Sequence, residues 1–578
     1  MIDIPDTPDS SEVSLESFFL RSVSTAPRLR LGLLVSGGKF PALSDHIIEN
    51  LRASDFLEVV ALITIAPRAR PKASRRPVLY RLYRWWDQLT HTAAAGSLSS
   101  GDCAGMLSTA ASIIVEEDAA GSSLVLAAAQ RGALESCRLD VILVLGCVPH
   151  SAELADVARF GVWSSKFGDP LLGDPEPRHL WNMMRRSAPL SISLQAHLPD
   201  QPVPLTLSSG ALSMASGISA VSNLTSPARM AEGLIQSTLW QLHSSGWDHV
   251  LSYCSKAAAN DSCSRTVPTN SELLAWIVPK VFRQLRHRAR LRHSTELWRV
   301  GIRLGSRLEG LQAACATTDM SWLEAPTGHY YADPFAISQR GGWCLFVEDF
   351  DIATNKGRIV CLQLEENGTP GPAQLALERP YHLSYPQVFG RDGEKFMIPE
   401  SGYNNTVELY RAVCFPTQWE LARILFRGPA FDATVLHHAG LYWFFVTLID
   451  SRSPQRIELM LFHADSLYGE WTLHPASPIS RDIRVARCAG APFLDGGTWI
   501  RPAQDGSETY GGALRFQRIV HIDPRQYREE PAGAVTAHLI RGATGVHTYN
   551  RAGDLEVIDA KSRVGSRGTP RHQRKVRP

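Results

Sequence analysis

The chain of 578 residues has no excess of charge of either sign: 59 Lys and Arg stand against 57 Asp and Glu, a net of +2. A specific nucleic-acid binder normally shows a strong basic excess, so that class is excluded and any basic surface is local. Long hydrophobic runs are missing too. The longest, such as VILVLGCV at 141–148, fall far short of the roughly 20 residues that cross a bilayer, so no transmembrane segment is expected. No secretory leader is expected, since the first seventeen residues carry Asp3, Asp6, Asp9, Glu12 and Glu16 without one Lys or Arg, and no apolar stretch follows. The ten cysteines include no CxxC pair, which removes the usual zinc and disulfide frameworks, and no metal site is assigned. A cytoplasmic chain with reduced thiols is expected. Neither nucleotide fingerprint, GxGxxG or GxxxxGK[ST], is present.

What is present describes a multidomain globular protein. Hydrophobic residues make up 44% and charged residues 20%, enough to bury real cores. Residues 1–28 read as a disordered acidic start. From 29 to 245, LRLGLLVSGG, FLEVVALITI and LDVILVLGC are continuous apolar strands alternating with helical segments, the pattern of an open parallel α/β sheet covered on both faces. Residues 246–315 read as a helical basic linker, with Arg283, Arg286, Arg288, Arg290 and Arg292 on a helical pattern. Such runs are usually solvated; the other reading is contact with an anionic polymer or lipid headgroup. From 316 to 560 the texture is all-β: short aromatic and β-branched strands between glycine turns, at a length of roughly 40 to 50 residues per blade that fits a five-bladed β-propeller. Residues 561–578 are basic, rich in Gly and Pro, and expected to be disordered.

In the α/β segment, the strand ending in Ser36-Gly37-Gly38, the run DVILVLG, the helix ELADVARF and the GVWS that precedes Gly168-Asp169 resemble the amino-terminal domain of folate-dependent formyltransferases. The resemblance implies a binding role for Ser36, Gly37, Gly38 and Asp169, with formyltetrahydrofolate as cofactor if the chemistry persists. The active members need an imidazole of near-neutral pKa. Here Ser165, Lys166 and Phe167 stand where the related chains have that His, and the next segment has no well-placed Asp; His179 and His197 are the available substitutes. Loss of formyl transfer is expected, with the fold kept to bind a sugar nucleotide or as scaffold.

In the all-β segment, the succession WLEAPTGHYYADPF, LFVEDFD, YHLSYPQVF, FDATVLHHAGLYWFF and RPAQDGSETYGGAL is similar to the propeller that forms the amino-terminal part of glucosamine inositolphosphorylceramide transferases. At superfamily level it resembles five-bladed glycosidases of families 43 and 32, which set a base, an acid and a pKa-tuning Asp on three inner strands around a funnel. Carried over, the resemblance implies Asp333 in ADPF as base, Glu400 in PES as acid and Asp432 in FDAT as tuner. Their spacings of 67 and 32 residues put them in different blades. Glu348, Arg501, Gln504, Asp505 and Tyr510 are candidate substrate-binding residues; a planar guanidinium such as Arg501 suits an anionic sugar group. Trp343, Trp419, Trp443, Trp471 and Trp499 read as blade packing.

The expected function is binding of a sugar, sugar nucleotide or glycan in polysaccharide or glycoconjugate biosynthesis, with cleavage or transfer if the funnel is active. Two alternatives stay open: formyltetrahydrofolate-dependent N-formylation of an amino sugar, and non-catalytic glycan recognition or assembly.

Overall fold

The computed structural model describes residues 15–36, 44–66, 76–90, 110–117, 123–146, 152–167, 180–181, 183–184, 189–199, 201–213, 218–219, 225–256, 267–291, 294–305, 310–316 and 320–565. The chain divides into two compact units, Ser14–Arg283 and one that begins at Gln284.

The first unit is built on β1 (Leu29–Ser36), α1 (Ser44–Ala53), β2 (Leu57–Ile65), α2 (Val78–Thr90), β3 (Ala111–Glu117), β4 (Leu124–Val125), α3 (Ala128–Ser136), β5 (Val141–Leu145), α4 (Ala152–Ala155) and β6 (Val162–Phe167). It continues through β7 (Leu190–His197), β8 (Leu205–Leu212), α5 (Thr225–Ser245), α6 (Trp247–Ser252), β9 (Ser255–Lys256) and α7 (Asn270–Leu291). The strands form one sheet in the order β4-β3-β2-β1-β5-β6-β7-β8-β9. β3, β2, β1, β5 and β6 run parallel, and β5 is buried along its whole length, as its unbroken VILVL requires.

The sheet is mixed rather than parallel throughout. β7 and β8 join antiparallel, and LSISLQAH, which mixes deeply and less deeply buried positions, is compatible with a strand that has one wetter face. Gly161, the glycine ahead of β6, has φ +74°, and a Cβ there would lie 2.3 Å from the His197 carbonyl oxygen, so only glycine lets β6 and β7 approach.

Two further expectations change. Residues 15–28 are ordered: the apolar LESFF forms a short turn at Leu15–Phe19 with Leu15 and Phe19 buried. Gln236 Nε2 on α5 donates to the Phe19 carbonyl at 2.8 Å, and Trp240 Nε1 to that of Arg21 at 2.9 Å. The basic linker is also shorter than expected, because Ser294–Leu304 is a strand of the second unit, paired along its length with Leu555–Gly565.

The second unit is a five-bladed propeller. Four blades are successive meanders that begin with the inner strands His329–Gln339, Ser384–Arg391, Ala430–His438 and, split in two, Arg487–Cys488 and Phe493–Asp495. The fifth takes its inner strands Tyr549–Ala552 and Leu555–Gly565 from the carboxyl side, and its outer strands Ser294–Leu304 and Ser321–Trp322 from before the first blade. Both ends of the segment therefore close one sheet. The blades pack through apolar clusters, and Trp443, Trp471, Trp343, Trp419 and Trp499 lie in or against this packing, Trp443 and Trp471 buried.

Candidate functional site

The same irregularity recurs on three neighbouring inner strands. Pairing with the second strand shifts between Ala332 and Phe335, between Ser384 and Gln387, and between Phe431 and Thr434. Each bulge holds one left-handed residue: Asp333 (φ +49°), Tyr385 (φ +44°) and Asp432 (φ +46°). Non-glycine residues adopt this region only when their surroundings hold them there, and a bulge re-aims the side chain it carries.

The second strand of the neighbouring blade supplies the hold. Asp559 Oδ2 accepts from the Asp333 backbone N–H at 3.0 Å, and Glu400 Oε2 accepts from that of Asp432 at 3.1 Å. Thr447 Oγ1 takes the same part toward the Cys488 N–H at 3.4 Å. Glu348 stands opposite Ala332 as Glu400 stands opposite Ser384, so these residues occupy one repeated register position in successive blades. The Tyr385 hydroxyl accepts from Gly490 N–H at 2.6 Å and reaches Thr434 Oγ1 at 3.0 Å.

These strands bring Asp333, Glu348, Glu400 and Asp432 together, all buried. Burial, then the carboxylates of Asp559 and Asp432, raise Asp333 to about 6, although His547 and a 2.6 Å hydrogen bond from Thr548 Oγ1 oppose the shift. Burial and the negative charge of Asp432 push Glu400 well above the ordinary carboxyl range, against the pull of Arg487. Glu348 is pushed the same way by burial and by Asp333 and Glu400. Its neighbour His382, 3.5 Å away through Nε2, is lowered by burial to about 4 and so meets it as a neutral imidazole.

Arg487 is the cation of the centre. Its Nε donates to Asp432 Oδ2, its terminal nitrogen lies 3.7 Å from Glu400 Oε2, and its guanidinium sits 5.1 Å from the Tyr510 ring centre. Gln504 Nε2 donates to the same Asp432 oxygen and to the Cys488 carbonyl, both at 3.0 Å. His547 joins Asp559 Oδ2 through Nδ1 at 2.7 Å and faces Asp333 Oδ1 through Nε2 at 3.5 Å. Burial works against its charge, but the two carboxylates outweigh it and leave His547 above its ordinary value. Asp333, His547 and Asp559 place possible ligand atoms within 4.8 Å of one another. Asp559, however, already accepts from three backbone N–H groups and from His547, which fills the roughly four acceptor positions of a carboxylate. The trio therefore orients Asp333 rather than forming a cage for a cation.

Two groups of aromatic rings include members close to the carboxylates, Tyr330 in one and Tyr510 in the other. Tyr330, Phe350, His382 and Tyr403 follow one another with ring centres 4.7, 5.9 and 5.3 Å apart. In a second group, Trp298 stacks on His547 at 3.8 Å, and Tyr510 meets His547 edge-on at 5.6 Å.

Of the residues expected at the site, Asp333, Glu348, Glu400, Asp432, Gln504 and Tyr510 come together. Two do not. Arg501 is held inside the fourth blade by Glu529 at 2.6 and 2.9 Å and by the Val485 carbonyl, because Glu529 on a nearby strand of the same blade neutralises it. Asp505 pairs with Arg515 at 2.9 Å and caps its own turn through Ser507. Sequence reasoning missed Arg487, His547, Asp559 and Trp298. The recurrence of ADPF, SYPQ, FDAT and AGAP at the heads of the inner strands is the signal that leads to the bulges.

In the first unit, Ser36 ends β1 and His197 ends β7. Burial and Lys166 lower His197 to about 4, so it is neutral. Gly37, Gly38, Asp169 and His179 lie outside the described residues.

Residues 313–562 match the family model described as glucosamine inositolphosphorylceramide transferase 1, N-terminal. Glucosamine inositolphosphorylceramide transferase 1 of Arabidopsis thaliana is 34% identical over 223 residues, 37% of this chain and 28% of the relative. The protein of the same name from Oryza sativa subsp. japonica is 33% identical over 207 residues, 35% of this chain and 28% of the relative. The chain thus spans little more than a quarter of the length of these curated relatives. Among solved structures, a family 117 glycoside hydrolase of Zobellia galactanivorans aligns at 12% identity and TM-score 0.31, over 46% of this chain and 90% of that one. The catalytic domain of a Coprinopsis cinerea family 62 α-L-arabinofuranosidase aligns at 12% and 0.32, over 40% and 90%.

Proposed function

We propose that the chain is a cytoplasmic carbohydrate-active protein whose propeller funnel binds a sugar, sugar nucleotide or glycan unit and acts on a glycosidic bond. The carrying observation is one buried group of carboxyls drawn from three blades, in which Asp333 and Glu400 differ in proton affinity. Asp333, at about 6, is largely ionised at neutral pH and suits a base; Glu400, well above the ordinary range, keeps its proton and suits an acid. Asp333 would take a proton from water or an acceptor hydroxyl while Glu400 gives one to the leaving oxygen, so the proton count balances. Asp432 and Arg487 position Glu400, and the aromatic rows supply apolar faces for a pyranose, as mostly apolar pockets with a few placed polar groups do. The family match over the propeller supports a glycoconjugate as the substrate class.

The first unit carries a second reading. Strand order reverses at β1 and β5, and open α/β sheets bind ligands beyond the carboxyl ends of such strands. A formyltransferase-like unit that binds formyltetrahydrofolate there fits this arrangement.

Isothermal titration of the full chain and of an Asp333→Asn/Glu400→Gln double variant against sugar nucleotides, amino sugars, oligosaccharides and formyltetrahydrofolate separates the two. Sugar binding that the double variant alters supports the funnel. Folate binding without any sugar response overturns it.

A further inference from the structure

Helix α2 is apolar on two opposite sides. Tyr80 and Tyr83 face the core, while Val78, Leu82, Trp85 and Leu89 recur at three- and four-residue spacing on the other side and are more than half exposed, Trp85 at 63%. Helix α7 repeats the design. Leu273 and Trp276 are buried, and Leu274, Val278 and Phe282 stand out, Phe282 at 56%.

The two helices are neighbours. The Leu79 N–H donates to Asn270 Oδ1 at 3.1 Å, Tyr83 meets Trp276 edge-on at 6.2 Å, and Tyr80, Tyr83, Leu273 and Trp276 share one cluster. Each helix thus exposes an apolar stripe that includes an aromatic residue, Trp85 or Phe282, and such stripes mark interaction surfaces.

Charge identifies the partner. Within the first unit the two helices carry Arg81, Arg84, Lys280 and Arg283 against Asp87 and Glu272. Asp87 is buried on the core side, and Glu272 is engaged in capping α7, accepting from the Thr269 N–H at 2.8 Å. A second copy of the same face would bring these cations against one another. A bilayer of anionic phospholipid meets both halves of the pattern: Trp and Phe settle at the boundary between headgroups and acyl chains, and Arg and Lys reach the phosphates. Among the described residues no helix is long and apolar enough to cross a membrane, so the contact lies along the surface.

We propose that α2 and α7 dock the protein peripherally on an anionic phospholipid bilayer through Leu82, Trp85, Leu274, Val278 and Phe282, with the flanking Arg and Lys side chains on the phosphates.

The test is flotation of the full chain with vesicles of phosphatidylcholine alone and of phosphatidylcholine with phosphatidylserine, alongside light scattering on a sizing column. Binding is expected on the anionic vesicles, at least tenfold tighter than on the neutral ones and weakened by salt, as surface charge attraction is. The Leu82→Glu/Trp85→Glu/Phe282→Glu variant should lose it with an unchanged thermal melt. If that variant fails to fold, Arg81→Gln/Arg84→Gln should weaken binding several-fold. Absence of wild-type binding at low salt, or binding that neither variant changes, overturns the proposal. So does a wild-type dimer, made monomeric by the variant and indifferent to vesicles, which assigns the face to a second copy.

Discussion

The open sheet and the closed ring of this chain handle ionisable groups in opposite ways. In the first unit, the described groups moved off their ordinary proton affinity are His197 and Cys254, each chiefly through burial and far apart in sequence. In the propeller, Asp333, Glu348, Glu400 and His547 are moved by one another as well as by burial. An open sheet presents its strand ends along an edge, so a ligand there meets mainly backbone. A ring turns the same register position of every blade toward one axis, and residues more than two hundred positions apart become a single electrostatic system. Closure, more than composition, concentrates the charge.

The sharpest test of that contrast is Glu400→Gln. Loss of a general acid should lower turnover of the responding glycan by about 10²- to 10⁴-fold, with sugar affinity little changed. Wild-type turnover should rise as pH passes about 6, where Asp333 gives up its proton, and fall on the alkaline side as Glu400 loses its own; the variant should lack the alkaline fall. A flat profile would break the comparison.

Ion pairs give the next largest effect. Arg501→Met leaves Glu529 without its buried partner and should cost about 3–5 kcal/mol in denaturant unfolding. Arg131→Met in the first unit, where the contacts to Glu135 and Asp156 are 3.8 Å long and partly exposed, should cost less than about 1 kcal/mol.

Asp333→Asn should instead stabilise. The native carboxyl binds its proton more tightly than the unfolded one, so the wild type loses stability as pH rises from about 4 through about 6 and stays lower above that. The variant lacks this loss, and its advantage should reach at most about 3 kcal/mol at pH 8 and vanish near pH 3. Thermal melts across that range measure it. Finally, His197→Phe should leave every sugar titration unchanged; a changed sugar response would move the site into the open sheet.

Strands with one unmistakable environment were legible in the sequence. VILVL has no polar residue and becomes a strand buried throughout, and LYWFFVTLI becomes the second strand of a blade. LSISLQAH mixes serines with apolar residues, and nothing local fixes its direction, so its antiparallel pairing was not legible. Neither was STELWRVGIRL, whose pairing partner lies some 260 residues away and whose Arg-rich upstream neighbour suggests helix. At the site, Asp333, Glu400 and Asp432 were legible through the resemblance that ADPF, PES and FDAT carry, since each motif is local and lies at the end of a strand. Arg487 and His547 were not, since each gains its meaning from a carboxylate in another blade. Arg501 misled for the converse reason: its sequence neighbours suggest a ligand, while Glu529 claims it through a strand pairing that the motif does not reveal.

The bond from Asp559 to the Asp333 backbone joins the last inner strand of the ring to the first. During synthesis, Asp333 leaves the ribosome some two hundred residues before its anchor exists. Until residue 559 arrives, the bulge lacks this bond, and the fifth sheet lacks the strand Leu555–Gly565 that joins its inner and outer strands. The backbone geometry that aims Asp333 is therefore set only once the far end of the ring has been made.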